Sequence, residues 1–337
     1  MDNVNEANRY RVVTVFGGSG FVGRHVVRAL AKRGYRIRVA VRRPDLAVHL
    51  MPAGGTGQIH AVQANVRFRD SVDRAVAGSD AVINLVGILA NTGAQTFDAV
   101  QARGPEAIGE AAKVAGITRV VHMSAIGSDP ESASEYGRSK AAGEAAMRAA
   151  VPDAVIMRPS IVFGPEDDFF NRFAAMARLS PALPLIGGGG TRFQPVFVGD
   201  VAEAFADAVD GKATPGTTYE LGGPEVKTFR ELMEFVLTET RRKRFLVPLP
   251  WRLAEFQAGL LELLPKPLLT RDQVALLKVD NVVSPAAETE HRTLAGLGID
   301  SRSIAAIVPS YLYRFRRHGQ YDVGRPDHGT LGSDRRL

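Results

Sequence analysis

Short apolar runs alternate with segments of helical spacing along the first half of the chain. Residues 11–16, 37–41, 59–63, 81–86, 119–123 and 154–157 are short, rich in β-branched residues and bounded by turn formers, which predicts six buried strands. Between them, apolar residues recur every three to four positions over 21–32, 97–114 and 135–149, and more weakly over 71–77, which predicts helices. Gly34 and Gly116 stand where two of these helices should stop. Strands alternating with helices imply right-handed crossovers and an α/β fold, a doubly wound parallel sheet of Rossmann type.

The rhythm changes after residue 160. Pro181, Pro184 and the glycines at 187–190 predict a loop, and helices are expected over 201–209 and 229–239. This divides the chain into a nucleotide-binding domain over 10–165, a smaller, mostly helical C-terminal lobe over 166–318 interleaved with it, and a Gly/Asp/Arg-rich tail over 319–337 that is expected to be disordered.

Composition narrows the class. Apolar residues make up 45% of the 337 and charged residues 23%, enough for a substantial core. There is no cysteine, so neither disulfides nor thiolate metal sites are expected. The net charge of +6 arises from 42 basic and 36 acidic residues spread along the chain, without zinc-finger spacing or an RNA-binding aromatic motif. Nucleic acid is therefore not the expected partner, and anionic cofactors or acidic surfaces explain the excess. Residues 1–10 are polar, and no run approaches the roughly 20 apolar residues that span a bilayer. The expectation is a cytoplasmic protein, soluble or peripheral on the inner face of the membrane.

Gly17, Gly18, Ser19, Gly20, Phe21, Val22 and Gly23 follow the first strand and open the first helix. Glycines in this strand–turn–helix context permit a tight turn, close backbone approach to a pyrophosphate and close helix packing. The helix N-terminus then holds phosphate with exposed N–H groups and its positive dipole end. The second strand ends at Arg42 and Arg43, where an acidic residue would bind the ribose hydroxyl of NAD. Guanidinium groups there suit a 2′-phosphate, so NADP(H) is the favoured cofactor. Asp45, three residues past Arg42, leaves NAD(H) as the alternative, and both arginines could also be ordinary solvated charges.

Tyr136 and Lys140 lie four residues apart on the predicted fifth-strand helix and so share a face. A neighbouring ammonium stabilises a phenolate and makes tyrosine a usable acid/base. Ser132 to Glu135 has the spacing of a capping box that would start this helix.

With Arg158-Pro159-Ser160-Ile161-Val162-Phe163-Gly164-Pro165, Gln194-Pro195-Val196-Phe197-Val198-Gly199-Asp200-Val201 and Tyr219-Glu220-Leu221-Gly222-Gly223-Pro224, these motifs resemble the extended and atypical short-chain dehydrogenase/reductases through about residue 240. The resemblance implies an NAD(P)-binding protein of epimerase/dehydratase type. Tyr136 would be the acid/base, with Lys140 on the nicotinamide ribose and Pro159 beside the nicotinamide. Asn65 and Val66 would lie against adenine, and Val86 would complete the cofactor contacts. Ser124 would polarise a substrate carbonyl, although it stands a residue or two early if Ala125 or Ile126 holds the family position. His122 reads as a packed strand residue.

The C-terminal half adds a second signal. Arg241-Arg242-Lys243-Arg244 precedes a proline-bounded segment in which Leu253, Phe256, Leu260, Leu263 and Leu264 share one helical face and Arg252, Glu255 and Glu262 another. This helix could pack on its own lobe, or region 241–267 could face a membrane surface or partner. Together with Ser139-Lys140-Ala141-Ala142-Gly143-Glu144 and Leu269-Thr270-Arg271-Asp272-Gln273-Val274, it resembles the branch of the family that contains the nucleotide-binding accessory subunit of respiratory complex I and its bacterial relatives. That likeness covers residues 10–315 and implies complex I subunits as partners and bound NADPH in a structural role. Relatives in the branch are linked to ubiquinone synthesis. Three functions follow: an accessory or assembly factor of complex I, an active NADP-dependent reductase or epimerase on a carbonyl substrate, or a sensor of cofactor redox state. The loops after residue 160 carry no motif that names a substrate.

Overall fold

The computed structural model describes residues 11–262, 269–317 and 319 of the chain. Six strands and four helices alternate first: β1 (Val12–Phe16), α1 (Phe21–Lys32), β2 (Arg36–Val41), β3 (Ile59–Gln63), α2 (Arg69–Val76), β4 (Ala81–Asn84), α3 (Arg103–Val114), β5 (Val120–Met123), α4 (Glu135–Ala150) and β6 (Val155–Pro159). The C-terminal half continues with β7 (Val162–Phe163), α5 (Phe169–Leu179), β8 (Ala182–Ile186), β9 (Arg192–Phe193), β10 (Val196–Phe197), α6 (Val198–Asp210), β11 (Thr218–Leu221), β12 (Lys227–Thr228), α7 (Phe229–Glu239), β13 (Phe245–Leu249), α8 (Trp251–Leu261) and α9 (Arg271–Leu276).

Among the described residues, seven strands form one sheet in the order β11-β6-β5-β4-β1-β2-β3. All neighbours run parallel, with Val15 of β1 registered between Val39 of β2 and Ile83 of β4. Continuous apolar runs form these strands because both faces are covered. On one face Val13, Val15 and Val39 pack with Val26, Val27 and Leu30 of α1 and Val201 and Phe205 of α6. On the other, Val82, Val120 and Ile156 pack with Val72, Val76, Ile108, Ala112 and Met147 from α2, α3 and α4. The chain leaves β1 towards β3, then returns to β4 and builds outward the other way. The C-terminal ends of β1 and β4 are therefore the switch point, where a crevice opens.

Three differences from the periodicity are informative. The helix expected over 97–114 is interrupted by a π turn at Asp98–Ala102. Gly143 of α4 lies so close to this turn that a Cβ there would stand 2.1 Å from the Gln101 carbonyl oxygen. The widened turn carries buried Gln101, whose Oε1 accepts Ile88 N–H (3.0 Å) and whose Nε2 donates to Ser139 Oγ (2.9 Å). Next, the loop expected around Pro181 and Pro184 holds strand β8, paired in parallel with β13 and its Pro248. Each strand of such a two-stranded ribbon has an open edge, where a missing N–H removes no ladder bond. Third, β11 supplies the sheet's seventh strand; its alternation of Thr218 and Glu220 with buried Tyr219 and Leu221 hid it from a search for continuous apolar runs.

The second lobe has its own core of Phe163, Phe170, Phe229, Leu232 and Met233. Helix α8 sits against this lobe by its smallest residues. Ala254 and Ala258 are fully buried with Ile186 and Val274, while Leu253, Phe256 and Leu260 are 46%, 64% and 56% exposed. The leucine face thus points away from its own lobe. Leu263, Leu264 and the flanking Pro265, Lys266 and Pro267 lie outside the described residues, as does all of the tail except Gly319.

Candidate cofactor and active site

Gly17 sits at the end of β1 with φ +77°, and a Cβ there would stand 3.2 Å from the backbone of Leu85 and Val86 in the loop after β4. Gly23 is tighter: its Cβ would stand 2.3 Å from the Gly17 carbonyl oxygen. The turn closes through Gly20 N–H to Gly17 O (3.0 Å), and Gly17 N–H donates to Ala40 O of β2 (3.2 Å). Gly20 is the N-cap of α1 and offers no side chain to the helix's leading N–H groups. A bare helix N-terminus on a glycine turn fits a phosphate group. Ser19, Phe21 and Val22 border this cradle, half-buried.

At the end of β2 a cavity of about 330 Å³ is lined by Ser19, Val41, Arg42, Arg43 and Leu46. Arg43 is held in plane by Asp45 through Nε (3.0 Å) and Nη2 (2.7 Å). The exposed Arg42 guanidinium is engaged by no hydrogen bond or ion pair among the described residues. The sequence treats the two arginines alike, whereas the fold ties one to Asp45.

Asn65 forms a local turn, accepting Arg67 N–H on Oδ1 (3.2 Å). Val66 is buried against Gly104 of α3. Val86 is half-buried, and its N–H donates to Asn84 Oδ1 (3.1 Å). Asn84 Nδ2 in turn donates to Nδ1 of buried His122 (3.1 Å), so the ring's hydrogen is on Nε2, which has no partner. Burial, with help from the Lys140 charge, pushes His122 down to about 3 and keeps it neutral. As expected, it is a packed strand residue.

Tyr136 and Lys140 share a face of α4, with Lys140 Nζ 5.8 Å from the Tyr136 ring centroid. Nζ donates to the Met123 carbonyl at the end of β5 (3.2 Å), and a Cβ on Gly87 would lie 3.3 Å from it. The loop after β4 therefore joins the glycine turn, at Leu85 and Val86, to Lys140, at Gly87. Burial pulls Lys140 down to about 8, opposed by Glu144. Glu144 is itself gripped by Arg158 through two bonds of 2.8 and 2.7 Å, which ties the Arg158-Pro159 motif to α4. Tyr136 moves the opposite way from an activated acid/base: burial, then the Asp272 carboxylate, push it up to about 12. Buried Pro159 ends β6, and its carbonyl accepts Ile126 N–H (3.0 Å).

Ser124 is 1% exposed. Ser128 Oγ donates to the Ala125 carbonyl (2.7 Å), so Ser124 Oγ, at 2.8 Å, must give its own hydrogen to Ser128. In this arrangement the hydroxyl hydrogen of Ser124 rests on Ser128, and polarising a substrate carbonyl would require it to turn from that partner.

Two residues near this end escaped sequence reasoning. Asn281 links the loops after β5 and β6, donating to the Ile126 carbonyl (3.1 Å) and accepting Ser160 Oγ (2.7 Å) and Ile161 N–H (3.0 Å). Asp272 of α9 accepts Glu135 N–H (2.6 Å), Ser134 Oγ (2.9 Å) and Tyr136 N–H (3.2 Å) at the start of α4. The capping box read over Ser132 to Glu135 does not form: Ser134 is the N-cap, and Asp272 supplies the rest. Capping boxes stand instead at Thr228/Glu231 and Thr270/Gln273.

Comparison with known proteins bears on this site. The chain is 38% identical over 288 residues to the mitochondrial NADH dehydrogenase (ubiquinone) 1 alpha subcomplex subunit 9 of Arabidopsis thaliana, across 82% of this chain and 72% of that one. It is 37% identical over 175 residues to the ceramide reductase of Caulobacter vibrioides, across 52% of this chain and 54% of that one. The NADPH-dependent quinone oxidoreductase of Escherichia coli, solved with NADPH, matches with a TM-score of 0.69 and 17% identity over 89% of this chain and 99% of that one, a likeness of fold alone. The NAD dependent epimerase/dehydratase family model matches residues 13–222, from β1 through the last strand of the sheet. With its open phosphate turn at the switch point and its Tyr136/Lys140 pair, the chain belongs to the NAD dependent epimerase/dehydratase family.

Proposed function

We propose that this protein holds NADP(H) at the switch point as a structural element and serves as an accessory or assembly factor of respiratory complex I, peripheral on the inner face of the membrane. The carrying observation is the open phosphate cradle at the start of α1, with the Arg42 guanidinium in the cavity beside it. In this reading the first turn of α1 takes the pyrophosphate and Arg42 takes the 2′-phosphate in the cavity beside Ser19. Asn65, Val66 and Val86 border the adenosine half, and Lys140 and Pro159 the nicotinamide half. The relative in Arabidopsis thaliana is named as a complex I subunit. Leu253, Phe256 and Leu260, turned outward on α8 within region 241–267, are the surface we assign to the complex or the membrane beside it. No helix among the described residues is long and apolar enough to cross a membrane. Native electrophoresis after gentle solubilisation tests this role. Comigration with complex I supports it, whereas a free protein, with complex I intact in its absence, removes it.

The intact Tyr136/Lys140 pair and the ceramide reductase relative favour a second reading, an active NADP-dependent reductase on a carbonyl substrate. Prolonged incubation with NADPH and candidate ketones or quinones, comparing Tyr136→Phe, decides it. Oxidation that depends on Tyr136 would establish turnover.

A further inference from the structure

Helix α4 does not own its N-terminus. Ser134, its N-cap, accepts Gly137 N–H (3.3 Å) and passes its hydroxyl hydrogen to Asp272. The same carboxylate accepts the N–H groups of Glu135 and Tyr136, so one residue of α9 engages three donors there. Asp272 also lies in the first turn of α9, which places one negative charge at the N-termini of two helices, where their dipoles favour it. Helix α9 is held from the other side by α8: Val274 is fully buried with Ala254 and Ala258, and Arg271 N–H donates to Glu262 Oε1 (2.7 Å). A packed path thus runs from α8, whose outer face is exposed, through Val274 and Asp272 to the first turn of α4.

The charges around Tyr136 set what this path can do. Lys140 stands one turn along the same helix, and Glu135 is turned to Asn91 (3.4 Å). From the elements packed against it, Phe97 contributes an uncharged ring edge at 6.0 Å, and Asp272 contributes the negative charge. A bare helix start would favour a phenolate two residues in, and a carboxylate bound there reverses that preference.

We propose that Asp272 is a positioning residue that fixes the first turn of α4 from the other lobe and opposes a phenolate on Tyr136, so that the α8–α9 layer tunes how readily this site gives up a proton. The proposal rests on the reading of Tyr136 and Lys140 as the nicotinamide end. It adds a coupling between that end and the surface assigned to partners.

The test uses the full chain freed of nucleotide. The ring-carbon NMR resonance of Tyr136, assigned by its loss in Tyr136→Phe, is followed against pH in wild type, Asp272→Asn and Val274→Ala. Amide exchange of Glu135 and Tyr136 is read at neutral pH. In the wild type the midpoint is expected well above that of an ordinary tyrosine, because burial and Asp272 push it up to about 12. Asp272→Asn should lower that midpoint by about one pH unit and speed exchange of both amides about tenfold. Val274→Ala, which leaves the carboxylate in place but loosens its seat, should move both in the same direction by less. Its effect on Tyr136 should vanish in the double variant. An unchanged midpoint in folded Asp272→Asn overturns the proposal. So does an unchanged midpoint in Val274→Ala, which keeps the test decisive if Asp272→Asn fails to fold. A Val274→Ala effect that persists in full without the Asp272 carboxylate overturns it too. Because nucleotide is absent, failure to bind NADP(H) would remove the proposed function and leave this result standing.

Discussion

The two ends of the crevice are finished differently. At the phosphate end, Gly17, Gly20 and Gly23 strip away every side chain that would fill the turn, and the first N–H groups of α1 are left without a capping side chain. At the Tyr136 end the groups around the tyrosine are paired within the protein, while its own hydroxyl meets no hydrogen-bond partner among the described residues. Ser124 gives its hydrogen to Ser128, Lys140 donates to Met123, and the start of α4 is taken by Asp272. One end presents uncapped N–H groups that suit an anion; at the other, the first turn of α4 is held by a residue of the other lobe. Binding and turnover make separate demands on one fold.

The largest break in this contrast should come from Gly23→Ala. Its Cβ would meet the Gly17 carbonyl at 2.3 Å. The turn must shift, with a destabilisation of about 1–3 kcal/mol and a loss of NADPH affinity of about 100-fold by calorimetry. A variant that binds normally would show that the cradle does not depend on this close approach.

Acid sensitivity sharpens the other end. His122 is held near 3 in the folded protein, against 6.5 ordinarily. Below that ordinary value the unfolded chain takes up a proton that the folded chain refuses, so stability falls as pH drops. Between pH 6 and 4, denaturant titrations should show wild type losing roughly 2–3 kcal/mol more than His122→Gln. Parallel losses would mean that the floor of the site is wetter and more accommodating than its packing implies.

A smaller effect separates the two arginines. Arg42→Ala should weaken NADPH binding about tenfold and leave NADH unchanged, because only the 2′-phosphate loses a charged hydrogen bond. Arg43→Ala should do less, since Arg43 is already occupied by Asp45. Equal losses for both nucleotides would remove the preference for NADP(H).

The smallest effect on the fold itself belongs to α8. Replacing Leu253, Phe256 and Leu260 together by serine should cost only about 1 kcal/mol of stability, because about half of each side chain is already in solvent. The same protein should no longer comigrate with complex I. A large loss of stability would place this face inside the fold's own packing.

The sequence revealed what is local. Strands β1 to β6, helix α1 and the glycine turn are built from neighbours, and apolar runs with turn residues mark them. Tyr136 and Lys140 were legible because helical spacing puts them together. What stayed hidden depends on distant partners. Asp272 reads as an ordinary first-turn acid of its own short helix, and its bond to Tyr136 N–H spans 136 residues. The seat of α8 was left open between its own lobe and an outside surface for a different reason: alanines allow the closest approach of a neighbouring helix, so Ala254 and Ala258 are buried and the larger residues turn out, which an apolar stripe alone does not reveal. Nor could the surroundings of Ser124 be read, because its donor is consumed by Ser128 only once the loop folds back.

A structural NADP(H) is kept rather than turned over. The most direct measurement is the nucleotide carried by protein purified in its native assembly, without added cofactor and with carbonyl and quinone substrates supplied during isolation. About one NADP(H) per chain is expected, released only on denaturation, with its redox state unchanged by those substrates. An empty chain, or nucleotide that is oxidised as substrate is consumed, would contradict it.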